Sequence, residues 1–333
     1  MPGEMVALVT GGGGFIGRYL VAALVARGRQ VRCLVRTPEA ARAVQALGAE
    51  VVLGDICDPA TLSGIASGVD QVYHLAAVGH VAAISEEAYR RFIAVNVEGT
   101  RNLLAACIHA PLQCFVHFSS TAAMGLPRVP VVDEDTPCQP ATPYQRSKRE
   151  SELVALSAHE RQGLPVVIVR PCMVYGPGGK GEFLKICRLV RAGLFPRVSR
   201  GPELTPAVHV RDLVRGVLAA AERGRAGQVY LLTGPVSYEM HELRSLILRA
   251  LGLRRPYPYV PLPLALGGAA LFELLARASG RAPLVTRANI ASTAYDRVFD
   301  LRKARNELGY DPCVPIAEGI AETVAWYRQE GLL

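Results

Sequence analysis

The fold is decided by one stretch near the start of the chain, Val6-Ala7-Leu8-Val9-Thr10-Gly11-Gly12-Gly13-Gly14-Phe15-Ile16-Gly17-Arg18. Its first residues form an apolar run that is typical of a buried strand and ends at Thr10. Four glycines follow, and helical spacing resumes beyond them. A strand that turns sharply into a helix needs a residue that is free of φ restrictions, and Gly11 supplies it.

The glycine spacing G-x-x-G-x-x-G predicts a dinucleotide-binding site, because it follows a strand and opens a helix. Gly14 allows the backbone to approach a pyrophosphate, and Gly17 allows the helix to pack against the strand. The free amide groups and the positive dipole end of that helix would face the phosphates. The cofactor contacts predicted in this stretch are Gly11, Gly13, Gly14, Phe15, Ile16 and Gly17.

The composition is that of a soluble globular protein large enough for two substructures. The chain has 333 residues, of which half are hydrophobic and a fifth charged. Its net charge of +8 comes from scattered arginines without a basic block, which indicates a solvated surface rather than a nucleic-acid interface. Such a charge still attracts anionic ligands, for example a phosphorylated cofactor.

Cysteine usage and the apolar segments bear on the compartment. None of the eight cysteines forms a C-x-x-C pair, so we expect reduced core residues, neither a disulfide framework nor a metal site. The chain runs directly into its first strand, which leaves no room for a signal peptide. The apolar stretch 260–272 is broken by prolines and is too short to span a membrane. We therefore expect a cytoplasmic protein.

Strand and helix patterns alternate through the first half of the chain. Strand patterns at 30–35, 51–55, 71–77, 114–120 and 166–170 are separated by helical ones, which predicts an α/β fold with a doubly wound parallel sheet, a Rossmann fold. From Pro171 onward this alternation of strands and helices ends, and only 229–232 resembles another strand of the sheet. We predict a dinucleotide-binding domain at 1–175, to which 208–235 returns. Residues 176–207 and 236–333 would form a smaller, helix-rich substrate-binding region over the carboxyl edge of the sheet.

Tyr144 and Lys148 are the candidate chemical pair. Four residues apart, they lie on one face of a predicted helix. A phenol titrates near ~10 in water, and a nearby ammonium favours the phenolate, so Tyr144 could exchange a proton with a substrate oxygen while a hydride moves. The pattern alone also fits a solvated helix face. It gains weight because it follows Ser119-Ser120-Thr121 at the end of a strand.

Across nearly its full length the chain resembles the extended short-chain dehydrogenases/reductases. The matching stretches occur in the family's order: 10–17, Gly54-Asp55-Ile56, His74-Leu75-Ala76-Ala77, Asn96-Val97-Glu98-Gly99-Thr100, Ser119-Ser120, 144–148, and Arg170-Pro171 to Gly176-Pro177. By this resemblance Ser120 binds the reacting oxygen, and Thr121 competes for that role. Tyr144 is the acid/base, Lys148 lowers its pKa and holds the nicotinamide ribose, and Asn96 supports the hydrogen-bond network.

The resemblance also implies the remaining cofactor contacts. Asp55 would meet the adenine, although a turn or helix-capping aspartate is the alternative. Further contacts are expected from Ile56, Leu75, Ala76, Ala77, Tyr144, Lys148, Pro171 and Val174.

The phosphate state of the cofactor is indicated at the end of the second strand. NAD-selective folds have an acid there for the ribose 2′-hydroxyl, but this chain has Val35-Arg36, with Arg32 upstream. An arginine can pair with a 2′-phosphate, so we expect NADP(H) rather than NAD(H), bound through Arg36 and in part through Arg32. An exposed arginine without this role is the alternative.

The branch of the family is indicated by departures from its sugar-nucleotide members. Ala122 and Ala123 replace the Asp-Glu pair of 4,6-dehydratases, and Met124 replaces the usual tyrosine. The stretches 31–36 and Arg170-Pro171 are closer to the dihydroflavonol-reductase and 3β-hydroxysteroid-dehydrogenase branch. We expect an NADPH-dependent enzyme that interconverts a ketone and a secondary alcohol on a lipophilic substrate of 3β-hydroxysteroid, 3-oxoacyl or flavonoid type.

Alternatives remain at this stage. A nucleotide-sugar epimerase or reductase uses the same fold, and a non-catalytic NADP-binding regulator would have little need for the Ser120/Tyr144/Lys148 set. The apolar stretch 257–275 could line a hydrophobic pocket, face a membrane surface or pack in a dimer interface. We expect a homodimer.

Overall fold

A computed structural model describes residues 5–79, 86–198, 200–279, 285–287, 290 and 295–333. Its strands are β1 (Val6–Thr10), β2 (Gln30–Val35), β3 (Glu50–Leu53), β4 (Gln71–His74), β5 (Cys114–Phe118), β6 (Val166–Pro171), β7 (Met173–Tyr175), β8 (Leu204–His209), β9 (Val229–Leu232) and β10 (Ser237–Glu239). Its helices are α1 (Phe15–Ala26), α2 (Pro38–Gln45), α3 (Glu86–Phe92), α4 (Gly99–Cys107), α5 (Pro143–Gln162), α6 (Glu182–Ala192), α7 (Val210–Arg223), α8 (Met240–Leu251), α9 (Leu262–Ser279) and α10 (Ile316–Gln329).

Seven strands form one parallel sheet in the order β3-β2-β1-β4-β5-β6-β9. Apolar side chains from α1 and α7 pack on one face, and those from α4 and α5 on the other. Because the strands are buried on both sides, they are nearly continuous apolar runs. The predicted doubly wound α/β fold is confirmed.

A second, three-stranded sheet has the order β10-β8-β7. This sheet packs against α6, α8 and α10 in a hydrophobic core separate from the two that cover the faces of the main sheet. The core includes Tyr175, Phe183, Ile247 and Val324. β7 lies in this sheet, although the predicted boundary at residue 175 assigned it to the first domain. The loop 176–179 that follows β7 reaches the start of α1, where the Tyr19 hydroxyl donates to the carbonyl of Pro177 (3.0 Å).

The apolar stretch 257–275 ends in α9, which keeps much of its apolar surface exposed. Among the described side chains of α9, those of Ala269 and Ala276 are buried and the others are at least partly exposed. Five large apolar side chains are 48–68% exposed: Leu264, Leu271, Phe272, Leu274 and Leu275. Of the helices in the described ranges, none has the length and hydropathy that crossing a membrane requires.

A buried ion pair fixes α5 to the sheet. Glu152 and Arg170 are both almost fully buried and make two contacts of 2.8 Å, from Nε to Oε1 and from Nη2 to Oε2. The Ser119 hydroxyl at the end of β5 donates to the same carboxylate (2.5 Å), as does Arg149 (2.9 Å). Three neighbouring elements, β5, α5 and β6, therefore meet at one carboxylate.

Glu152→Gln should destabilise the protein by about 3–5 kcal/mol, because the Arg170 guanidinium would stay buried without its counter-charge. The free energy of unfolding from urea titration measures this loss. Glu150→Gln, on the exposed side of the same helix, is the matched control and should change stability by less than about 0.5 kcal/mol. Equal stability of the two variants would contradict the structural role of the ion pair.

Candidate active site

The glycine loop brings β1, α1 and the loop after β4 into contact. Gly11 has φ +73°, and a Cβ there would lie 2.8 Å from the amide nitrogen of Ala76. A Cβ at Gly17 would overlap the carbonyl oxygen of Gly11. Gly14 is the N-cap of α1 and offers no side chain to its first-turn amides. These amide groups lie at the carboxyl edge of the sheet, where the predicted pyrophosphate site requires them.

The loop after β4 is held by Asn96. Its side-chain oxygen accepts from the amide of Val78 (2.8 Å), and its side-chain nitrogen donates to the carbonyl of Val78 (3.2 Å) and to the hydroxyl of Ser147 in α5 (3.0 Å). Asn96 is in the π-helical turn Ile93–Glu98 that joins α3 and α4. The structure thus ties the predicted contacts Leu75, Ala76 and Ala77 to the helix that carries Tyr144 and Lys148.

Ser120 and Tyr144 come together at the end of β5. The Ser120 hydroxyl is hydrogen-bonded to the Tyr144 phenol, and its oxygen also accepts from the amide of Ala122 (3.1 Å). Thr121 instead begins the 3-10 turn Thr121–Met124. Of the two predicted hydroxyls, the structure therefore brings Ser120 to the tyrosine.

Burial controls the ionisation of Tyr144. It raises the pKa of the phenol to about 12, the Ser120 hydrogen bond acts in the opposite direction, and the Glu182 carboxylate raises the pKa further. The Tyr144 ring packs beside Phe92, with ring centroids 5.7 Å apart. The phenol is therefore protonated at neutral pH.

Lys148 is held at the end of β5. Its ammonium donates to the carbonyl oxygen of Phe118 at the end of β5 (2.5 Å). Burial lowers the pKa of Lys148 to about 8, while the charge of Glu152 acts the other way. The effect of Lys148 on the pKa of Tyr144 stays a prediction.

Arg36 and Asp55 form an ion pair at the carboxyl ends of β2 and β3, with 3.5 Å between Nη1 and Oδ2. The Asp55 carboxylate also accepts from the amide of Cys57 (2.9 Å), so the turn role considered for it is present. Both charged side chains remain exposed at the cofactor edge. Exposed pairs of this kind contribute little to stability, so a ligand can compete for either group.

Arg32 points away from this edge. Its guanidinium donates to Glu50 (3.3 Å) and to the carbonyls of Ile65 (3.2 Å) and Ser67 (3.1 Å). The expectation that Arg32 would help to bind a phosphate is therefore not met, because these contacts hold the side chain beside the earlier part of β2.

At three other predicted cofactor contacts, the side chain packs against the rest of the protein. Ile56 is buried in the core, where a Cβ at Gly99 would lie 2.7 Å from its Cδ1. Pro171 is buried at the end of β6, in register with Leu232. Val174 is part of β7 and packs against the main core.

Sequence reasoning missed three groups beside the site: Glu152, Glu182 and Arg297. A signal for Glu152 was present, since Tyr144, Lys148 and Glu152 are spaced by four residues along one helix face. No sequence motif identifies Glu182 or Arg297, because their positions near the site depend on the packing of segments that are distant in the sequence.

Together the glycine loop, the uncapped start of α1 and the Ser120/Tyr144/Lys148 set fit a nicotinamide dinucleotide, and they define a dinucleotide-dependent enzyme of the extended short-chain dehydrogenase/reductase type. The chain belongs to the NAD dependent epimerase/dehydratase family, whose model matches residues 7–232.

Three similar proteins illustrate the range of this family. The 4-hydroxy-2-methyl-3-oxo-4-farnesyl-3,4-dihydroquinoline-1-oxide ketoreductase of Stigmatella aurantiaca is 36% identical over 323 residues, covering 95% of each chain. The 3 beta-hydroxysteroid dehydrogenase/Delta 5-->4-isomerase of Mycobacterium tuberculosis is 31% identical over 96% of this chain and 90% of the relative. The crystal structure of dTDP-glucose 4,6-dehydratase from Streptomyces venezuelae, with NAD bound, is 30% identical, has a TM-score of 0.79 and covers 99% of this chain and 100% of its own.

Proposed function

We propose that the protein is an NADPH-dependent oxidoreductase that interconverts a ketone and a secondary alcohol on a lipophilic substrate. The observation that carries this proposal is the buried Tyr144 phenol, hydrogen-bonded to Ser120 and protonated at neutral pH. Such a phenol is a proton donor placed for a carbonyl oxygen. The ketoreductase and hydroxysteroid-dehydrogenase names of two relatives support the same chemistry.

In this mechanism the residues of the chain bind and protonate the carbonyl. The Ser120 hydroxyl holds the carbonyl oxygen, and Tyr144 gives that oxygen its proton. A bound, reduced nicotinamide would supply a hydride for the carbonyl carbon, so that the ketone would be reduced as the cofactor is oxidised. Lys148 helps to hold the cofactor ribose, and Asn96 keeps the loop after β4 in place.

Nucleotide-sugar chemistry is the second candidate, because a dTDP-glucose 4,6-dehydratase structure matches nearly the whole chain. Elimination of water needs an acid and a base beside the strand-five hydroxyl. The turn after Ser120 instead carries Ala122 and Ala123, and Met124 is buried behind them. Because the turn Thr121–Met124 carries no acidic or basic side chain, it favours reduction of a ketone over elimination of water.

Helix α9 has an exposed apolar face, which is compatible with a lipophilic substrate. Its five large side chains remain available to a ligand, a membrane surface or a second chain. The division of the chain into cofactor-binding and substrate-binding parts, the cytoplasmic location and the homodimer remain predictions.

NADP(H) is favoured through Arg36. It directly follows β2, where NAD-selective folds carry an acid, and its side chain is more than half exposed. A charge-assisted, bidentate contact to phosphate readily exceeds the contribution of an exposed ion pair with Asp55.

Tyr144→Phe should lower the turnover of a lipophilic ketone by about 10²- to 10⁴-fold, because it keeps the packing of the ring and deletes the proton donor. The affinity for NADPH should change little. Steady-state rates from NADPH absorbance, together with a fluorescence titration of the cofactor, measure both quantities. Full activity of the variant would mean that another group is the acid.

Arg36→Ala should remove a preference for NADPH over NADH of at least about tenfold, which requires only ~1.4 kcal/mol. Arg32→Ala is the matched control, since this arginine is held elsewhere, and it should keep the preference. Dissociation constants for both cofactors provide the measurement. Equal affinity of the unmodified protein for NADPH and NADH would overturn the assignment.

A further inference from the structure

The segment around Arg297 connects the three-stranded sheet to the chain that follows the Ser120 turn. The amide of Arg297 donates to the carbonyl of Leu204 in β8 (2.9 Å), and its carbonyl accepts from the hydroxyl of Ser237 in β10 (2.6 Å). The next residue, Val298, accepts from the amide of Val132 (2.8 Å), in the chain that follows the Ser120 turn. Both sides of the cleft therefore fix the backbone of Arg297.

The Arg297 side chain points into the interior without an acceptor for its Nε, which is buried and has no hydrogen-bond partner. Within the described residues, its guanidinium forms no ion pair. The residue as a whole remains partly accessible, so the side chain is not part of the closed core. A buried donor without a partner costs free energy, which a ligand oxygen would recover.

Arg297 lies near the carboxyl end of β6, because its backbone is bonded to β8, which pairs with β7 directly after β6. Burial lowers the pKa of Arg297, whereas the Glu182 carboxylate and Cys172 at the end of β6 act in the opposite direction. The same Glu182 carboxylate raises the pKa of Tyr144. The Glu182 carboxylate therefore acts on both side chains, in agreement with the backbone contacts that hold Arg297 at this edge of the sheet.

We propose that Arg297 binds an oxyanion of the substrate, a carboxylate or an enolate oxygen, close to the ketone that Tyr144 protonates. This inference rests on the proposed oxidoreductase function and narrows its substrate class to oxo compounds with a second, negatively charged oxygen. A guanidinium suits that role because its planar fork of donors matches a carboxylate, and it stays charged at neutral pH. An uncharged ketone would leave the buried Nε without an acceptor.

The test compares 3-oxohexanoate with its methyl ester, both reduced with NADPH. Arg297→Gln should lower kcat/KM for the anion by about 100-fold, in the range for truncating one partner of a buried charged pair, and should change the ester little. Arg297→Lys should restore part of the loss for the anion. The matched control is Arg302→Gln, at an exposed arginine that pairs with Asp300, and it should leave both substrates unchanged.

An equal loss for both substrates, or no loss for either, would overturn the role of Arg297. If the unmodified protein reduces neither substrate, the proposed function fails, and binding still tests the inference. Calorimetric titration of hexanoate into the protein with NADPH would then show binding that Arg297→Gln removes and Arg302→Gln keeps. Absence of binding, or equal binding by all three proteins, would overturn the proposal.

Discussion

The site depends on the buried contact between Glu152 and Arg170. The pair joins α5 to β6, and Ser119 joins the same carboxylate to β5. Tyr144 and Lys148 lie on the same face of α5 as Glu152. The contact that fixes Glu152 to the sheet therefore also fixes the positions of these two side chains relative to the sheet. A hydrophobic pair could provide similar stability, but not the directional hydrogen bonds that set the position of the helix. The positions of Tyr144 and Lys148 therefore depend on one buried carboxylate that accepts hydrogen bonds from Ser119, Arg149 and Arg170.

Burial has opposite electrostatic effects on the two groups that α5 presents. It raises the pKa of the Tyr144 phenol and lowers that of the Lys148 ammonium, because it disfavours the charged form of each. A phenol that keeps its proton is suited to donate it, which is the requirement of ketone reduction. Arg297 extends the same logic, since a guanidinium that stays charged in a desolvated cleft attracts an anionic oxygen.

Local sequence patterns predicted the glycine loop, the alternation of strands and helices, and the helix that carries Tyr144 and Lys148. These features follow from glycine stereochemistry and from apolar periodicity within short segments. The hydrogen bond of Lys148 to Phe118, the contacts that hold Arg32 away from the cofactor edge and the approach of Arg297 to the cleft were not predictable. Each depends on residues that are distant in the sequence, and no periodicity records such pairings.

We propose that the cleft reduces an oxo substrate and does not process a nucleotide sugar. The most direct measurement combines NADPH absorbance with mass spectrometry of the product, for a set of steroid and long-chain 3-oxo compounds and for dTDP-glucose. The account predicts that NADPH is consumed in step with formation of a secondary alcohol from at least one oxo compound, with dTDP-glucose unchanged. Conversion of dTDP-glucose, with no alcohol formed from any oxo compound, would contradict it.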